Sequence, residues 1–224
     1  MTLSVPSSLR RATTTALMTG LLFACWVHAE DAGWRAYQRG DYGGARAYYQ
    51  SAARNGDRLA QYNVAMMMLR GEGGGEDLDG GVGWLNKAAE AGMPEAQYNL
   101  GLLYESGVGV SRTLTAATAW WEKAAQQGHV QAQIELATQY FLGRGAPKDW
   151  KLAAKWYESA AENGDPAAQY IIGSFYEHGD GVEQNLKKAL DWYAQAARQG
   201  DVGAAAQAKD VARRIQEAQS LAPR

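Results

Sequence analysis

His129 and His178 are the residues beyond position 30 best suited to chemistry, because imidazole can act as base, acid or metal ligand near neutral pH. They lie far apart, and zinc needs a cluster of three or four ligands. His129 falls where a helix should start. His178 falls where one should end, a position at which an imidazolium interacts favourably with the helix dipole. Ser106, Ser111, Ser159 and Ser174 have no histidine and acid nearby in a recognisable hydrolase context, and the Gly-x-Ser-x-Gly elbow is absent. Gly71-Glu72-Gly73-Gly74-Gly75 suggests a phosphate cradle, but it lacks the closing Lys-Ser/Thr and follows no predicted strand. The acids are spread over capping or solvent-facing positions, where solvated charge is the ordinary outcome. No catalytic residue, cofactor or metal is therefore predicted, and the chain is expected not to be an enzyme.

The elements that hold these residues repeat. Aromatic residues return every 36 positions at Tyr48, Trp84, Trp120, Trp156 and Trp192, and glycines at Gly56, Gly92, Gly128, Gly164 and Gly200. A fixed period of this size without an insertion marks an array of units, none of which buries its apolar face alone. The formal charge of −2 and the 46% hydrophobic content give no electrostatic footprint for DNA or RNA. A nucleic-acid partner is excluded on that ground.

Residues 30–56 read as a truncated first repeat, with Trp34 and Tyr37 on one short helix, a turn at Gly40-Asp41, and a second helix from Tyr42. Four 36-residue repeats fill 57–200. In each, a first helix starts near Asp57, Met93, His129 or Asp165, with Pro94 and Pro166 next in two of them. It stops at Gly71, Gly107, Gly143 or Gly179, where glycine permits a left-handed backbone. The inner loop then delivers Asp77, Thr113, Asp149 or Asn185 as the next cap. In the second helix, Trp84, Trp120, Trp156 and Trp192 are each followed four and five residues later by an Ala-Ala pair. The indoles are expected to fill the gap between repeats while the alanines allow close helix approach. Residues 201–220 are a more polar capping helix, and 221–224 a frayed tail.

Residues 1–29 read as a signal peptide: Arg10-Arg11, an apolar run Ala12 to Val27, and Val27-His28-Ala29 as cleavage pattern before Glu30. Cleavage after Ala29 or nearby implies a periplasmic or secreted protein. The run is short against the ~20 residues of a membrane span, so no membrane insertion of the mature chain is expected; an uncleaved anchor is the remaining alternative. Cys25 is the sole cysteine, so the mature chain has no internal disulfide. Leu22-Phe23-Ala24-Cys25 loosely matches a lipoprotein box, which leaves a lipid anchor at Cys25 as a second outcome.

Ala96-Gln97-Tyr98-Asn99-Leu100-Gly101 with Tyr104, Gly107-Val108-Gly109-Val110, and Ala117, Trp120 and Ala124-Ala125 resemble a Sel1-like repeat, a tetratricopeptide relative with an extended inner loop. Residues 168–197 carry the pattern again. The second repeat departs from it, with Met66-Met67-Met68 in place of Gly-x-x-Tyr and surplus glycine from Gly71 to Gly83. The resemblance implies an all-α fold, a right-handed α-solenoid of helix-turn-helix Sel1-like repeats with a C-terminal capping helix. It also implies an adaptor that binds a protein or peptide on its concave face, in envelope signalling or assembly. By register, the positions facing that surface are Tyr62, Tyr98, Ile134 and Tyr170; Asn63, Asn99, Glu135 and Ile171; and Leu69, Glu105, Phe141 and Glu177. Tyr and Asn suit an extended peptide, although a tyrosine stripe at helical spacing also suits packing between repeats. Two alternatives stand beside the scaffold: a cell-wall or β-lactam hydrolase like the cysteine-rich branch of the family, whose paired cysteines this chain lacks, and a structural component of a polysaccharide or secretion complex.

Overall fold

Capping side chains stand at most of the predicted boundaries, and helices begin there. The computed structural model describes residues 32–220, and these form eleven α-helices and no strand. They are α1 (Ala32–Gln38), α2 (Tyr42–Arg54), α3 (Arg58–Leu69), α4 (Leu78–Glu90), α5 (Pro94–Ser106), α6 (Leu114–Gln126), α7 (Val130–Leu142), α8 (Trp150–Glu162), α9 (Pro166–His178), α10 (Leu186–Arg198) and α11 (Val202–Ser220). The expected signal peptide 1–29, the start at Glu30, the anchor at Cys25 and the tail 221–224 lie outside the described residues.

Asp57, Asp165 and Asp201 each accept from the backbone N–H three residues on, at 3.0, 2.8 and 2.8 Å. His129 does the same with Nδ1, accepting from Ala132 at 3.2 Å. Met93 offers no side-chain cap, and Pro94 follows it. Asp41, Asp77, Asp149 and Asn185 cap second helices. At the far end, Gly107, Gly143 and Gly179 take φ of +79°, +69° and +80° and terminate the first helices in the left-handed region. Gly181, at φ +70°, lies so close to α8 that a Cβ there would stand 2.1 Å from the Trp150 carbonyl oxygen. That loop therefore rests on the backbone of the preceding second helix.

The chain divides into two compact units between Trp120 and Trp121, inside α6. In the first, consecutive helices from α1 to α5 pack in sequence; in the second, those from α7 to α11 do so. One apolar cluster of the first unit joins Ala45, Tyr49 and Ala53 of α2 to Ala60, Val64, Met67 and Met68 of α3. A second joins Tyr62 and Met66 to Leu85, Ala88 and Ala89 of α4 and to Ala96, Leu100 and Leu103 of α5. The three methionines that break the pattern are buried, and their flexible thioethers fill the space between hairpins.

The expected depth of the tryptophans needs correcting by one residue. Leu85, Trp121, Tyr157 and Tyr193 are the deeply buried residues of the second helices, at 0%, 0%, 4% and 1% exposure. Trp84, Trp120 and Trp192 are only half-buried, Trp156 sits at the margin of the core, and Tyr48 is exposed. The reason is angular: Ala88 and Ala89 stand three and four positions after Leu85, the spacing that shares one helix face. Trp84 still touches both clusters of the first unit, but from the side, with the Lys87 ammonium 4.1 Å from its ring centroid.

α11 begins like a first helix but runs 19 residues, because Ile215 stands where earlier repeats have their stop glycine. Lys209, Arg213 and Gln216 are exposed on it. Arg213 pairs with Asp210 and Glu217 along the same helix at 2.6 and 2.8 Å, and at such exposure these pairs add solubility more than stability.

Gln139 is 1% exposed, and its Oε1 has no hydrogen-bond partner. The equivalent positions hold Met67, Leu103 and Phe175, all buried. Gln139→Met should therefore add about 1–2 kcal/mol of stability, read as a higher urea midpoint at unchanged slope, by removing an unsatisfied buried carbonyl; an unchanged midpoint would show that the amide is satisfied in solution. At the third repeat's cap, His129→Ala should lose about 1 kcal/mol and His129→Asp none, measured the same way.

Candidate functional site

The first helices carry the candidate site, and a ladder of glutamines aligns them. Gln61, Gln97, Gln133 and Gln169 donate from Nε2 to the carbonyls of Ala53, Ala89, Ala125 and Ala161 at 3.3, 3.0, 3.3 and 3.1 Å. Each bond ties a first helix to the C-terminal end of the second helix before it. Gln133 and Gln169 also accept from Asn163 and Gln199, at 3.3 and 2.9 Å. Sequence reasoning overlooked these residues, although their period of 36 and their place beside the tyrosines were visible.

In the first unit, four positions expected to face a partner are inside: Tyr62 at 0%, Asn63 at 6%, Tyr98 at 8% and Asn99 at 3% exposure. The Tyr62 hydroxyl accepts from Asn99 Nδ2 at 3.2 Å, and the same nitrogen donates to the Glu95 carbonyl at 2.8 Å. Burial pushes the Tyr62 phenol up to about 12, so it stays protonated. The Tyr62–Asn99 pair laces neighbouring first helices together, which is the packing role that a tyrosine stripe also allowed. The Oδ1 atoms of Asn63 and Asn99 are buried without a partner. Leu69 and Glu105 remain half-buried, Leu69 against the core and Glu105 with its carbonyl accepting from Arg112 at 2.8 Å.

In the second unit, Ile134 and Glu177 are buried, whereas Glu135, Phe141, Tyr170 and Ile171 are half-buried. Phe141 meets Trp150 edge-on with centroids 4.8 Å apart, and Phe175 lies 5.9 Å from both. The Lys148 ammonium covers Trp150 at 4.8 Å. Tyr170 packs on Tyr193 at 5.4 Å. Glu177, expected to face outward, has both carboxylate oxygens engaged, by Tyr193 at 2.8 Å and by Arg214 of α11.

His178 and Glu177 follow Ser174 on α9, and the Glu177 carboxylate is turned to Tyr193 and Arg214. The Ser174 hydroxyl lies 3.4 Å from His178 Nδ1, but that nitrogen also stands 2.9 Å from the Ser174 carbonyl, to which it can only donate. With a proton on Nδ1, that nitrogen has no lone pair to offer the Ser174 hydroxyl, so this contact does not activate the serine. Burial raises the Tyr157 phenol to about 12 and, together with the bond to Glu177, raises that of Tyr193, so both stay protonated; Tyr193 donates to Glu177. A surface bridge completes the polar inventory: Tyr176 donates to Glu158 at 2.7 Å and accepts from Lys188 at 3.1 Å. Among the described residues no three His, Cys, Asp or Glu are grouped to hold a metal ion. None of their helices is long and apolar enough to cross a membrane.

The arrangement thus offers laced helices with a partly exposed polar and aromatic side, and known proteins share the fold that carries it. Among curated proteins none matches the chain. A Sel1 repeat protein from Oxalobacter formigenes is 34% identical over 80% of this chain and 73% of its own, with a TM-score of 0.74. The c5321 protective antigen of uropathogenic Escherichia coli strains, described as displaying an SLR fold, is 30% identical with a TM-score of 0.72; the match covers 88% of this chain but only 40% of that one. The family model for the Sel1 repeat matches five times, at residues 31–57, 58–93, 94–129, 130–165 and 166–201. Those matches span most of the sequence at the period read from its glycines, and the chain belongs to the Sel1 repeat family, with the α-solenoid fold class of its structural relatives.

Proposed function

We propose that this protein is an exported scaffold that binds a protein or peptide partner along its first helices, in envelope signalling or assembly. Sel1 repeat proteins are generally protein-interaction scaffolds, and membership of that family supports the coarse assignment. One observation carries the finer one. In the second unit, Glu135 on α7 and Ile171 on α9 stay half-exposed at matching register positions, with Tyr170 half-exposed beside Ile171 and Phe141 half-exposed six residues further along α7. This combination of acid, aromatic ring and aliphatic side chain gives a peptide both apolar area and a polar anchor. In the first unit, Leu69 and Glu105 hold the corresponding places. Export rests on the leader, with a periplasmic or secreted mature chain, or one anchored through Cys25.

A photo-cross-linking residue placed at Glu135 should capture a discrete partner in the native envelope, while the same residue at Lys151, exposed on the second helix α8, should not. Adding Tyr170→Ala and Ile171→Ala should abolish the adduct while the chain keeps its helical circular dichroism and a cooperative melt, at a cost of about 1–3 kcal/mol for two half-buried side chains. Equal capture from both positions would sink the first-helix assignment. The mass of the mature N-terminus separates cleavage after Ala29 from lipidation at Cys25.

A further inference from the structure

Among the described residues Glu177 is the one charged side chain that is buried, at 7% exposure. A carboxylate removed from water must have its oxygens satisfied and its charge balanced. Oε2 accepts from the Tyr193 hydroxyl of α10 at 2.8 Å. Tyr193 is itself 1% exposed, and burial together with the bond to Glu177 holds its phenol protonated, so it can only donate there. The carboxylate is thereby fixed in orientation, with Oε1 left for a cation. Arg214 Nη1 of α11 fills that place.

The segment that delivers Arg214 is the least embedded helix end of the second unit. Ala204 and Val211 anchor the first half of α11, at 0% exposure each. Beyond them the burial falls away, and residues 216–220 are exposed. The Arg214 side chain is 36% exposed, and its other acid, Asp210, lies 3.8 Å away. The built part of the site is therefore Glu177 with Tyr193, and the guanidinium comes from outside it.

We propose that the Glu177 carboxylate, locked by Tyr193, is a guanidinium-binding site that Arg214 occupies in cis and that an arginine of a partner segment can occupy instead. An empty site would leave a buried charge without a counter-ion, so release of α11 and arrival of a second cation are coupled as an exchange. Arginine fits better than lysine, because its planar, weakly hydrated guanidinium enters a buried carboxylate site with less loss of solvation than a compact ammonium. The partner half of this inference rests on the scaffold reading above; the site itself does not.

The test uses the full chain with Arg214→Ala and reads carbodiimide-driven labelling of Glu177 by mass spectrometry. Labelling should rise roughly tenfold over the parent, ethylguanidinium should restore protection, and trimethylammonium, which forms no amide with the activated carboxyl, should not at the same concentration. Tyr193→Phe added to Arg214→Ala should weaken that rescue. If circular dichroism shows that Arg214→Ala loses helix, Arg214→Lys keeps a cation in place and should give intermediate labelling that ethylguanidinium suppresses. Unchanged labelling in Arg214→Ala, or equal protection by the two cations, overturns the proposal. Failure of the rescue would leave cross-linking at Glu135 untouched, and failure of cross-linking would leave the rescue untouched, so the two readings fall separately.

Discussion

The hydrogen bond from each first-helix glutamine to an alanine carbonyl is the contact on which the rest of the structure depends. A glutamine amide reaches the end of the preceding helix only if the backbones stand close, and alanine makes that possible by presenting nothing beyond a methyl group. Ala53, Ala89, Ala125 and Ala161, which accept these bonds, are all nearly or fully buried. So are Ala60, Ala96, Ala132 and Ala168, which lie one residue before the glutamines. These carbonyls already accept from the N–H of Gly56, Gly92, Gly128 and Gly164 at 3.1, 3.0, 3.0 and 2.9 Å, so the glutamine takes the second lone pair at each helix end. One interaction thus satisfies the buried glutamine amide, sets the spacing of neighbouring helices and fixes their register.

That spacing decides which side chains remain for a partner. Where first helices approach closely, a tyrosine cannot stand outward; Tyr62 is drawn in until its hydroxyl meets Asn99 of the next first helix. The residues left half-exposed, Glu135, Phe141, Tyr170 and Ile171, are those beside the deepest line of contact. The same geometry disposes of the Ser174–His178 pair, because a histidine four residues along a helix finds the backbone carbonyl of the serine as readily as its hydroxyl. What reads as chemistry in a list of residue types becomes helix-end hydrogen bonding in three dimensions.

Much of the fold was legible because it is local. Asp57, Asp149, Asp165 and Asn185 cap helices through bonds to amides two or three residues away, and Gly107, Gly143 and Gly179 end helices by their own φ. Neither needs a distant partner, so both can be read from spacing alone. The tryptophans were misjudged by one position because an aromatic marks a half-buried edge as readily as a centre. Only the partner helix shows that Leu85, Trp121, Tyr157 and Tyr193 point inward.

The sequence by itself determined the period, the helix boundaries, the family resemblance and the absence of internal disulfides, since these follow from short-range geometry and from residue counts. Tertiary structure alone decided that Tyr62, Asn63, Tyr98 and Asn99 are structural, that Gln139 is stranded in an apolar place, and that Glu177 is filled by Arg214 from 37 residues away. Those outcomes depend on which atoms of different helices come within hydrogen-bond reach. Such distances are set by the packing of whole hairpins, and no pattern along one strand of sequence contains them.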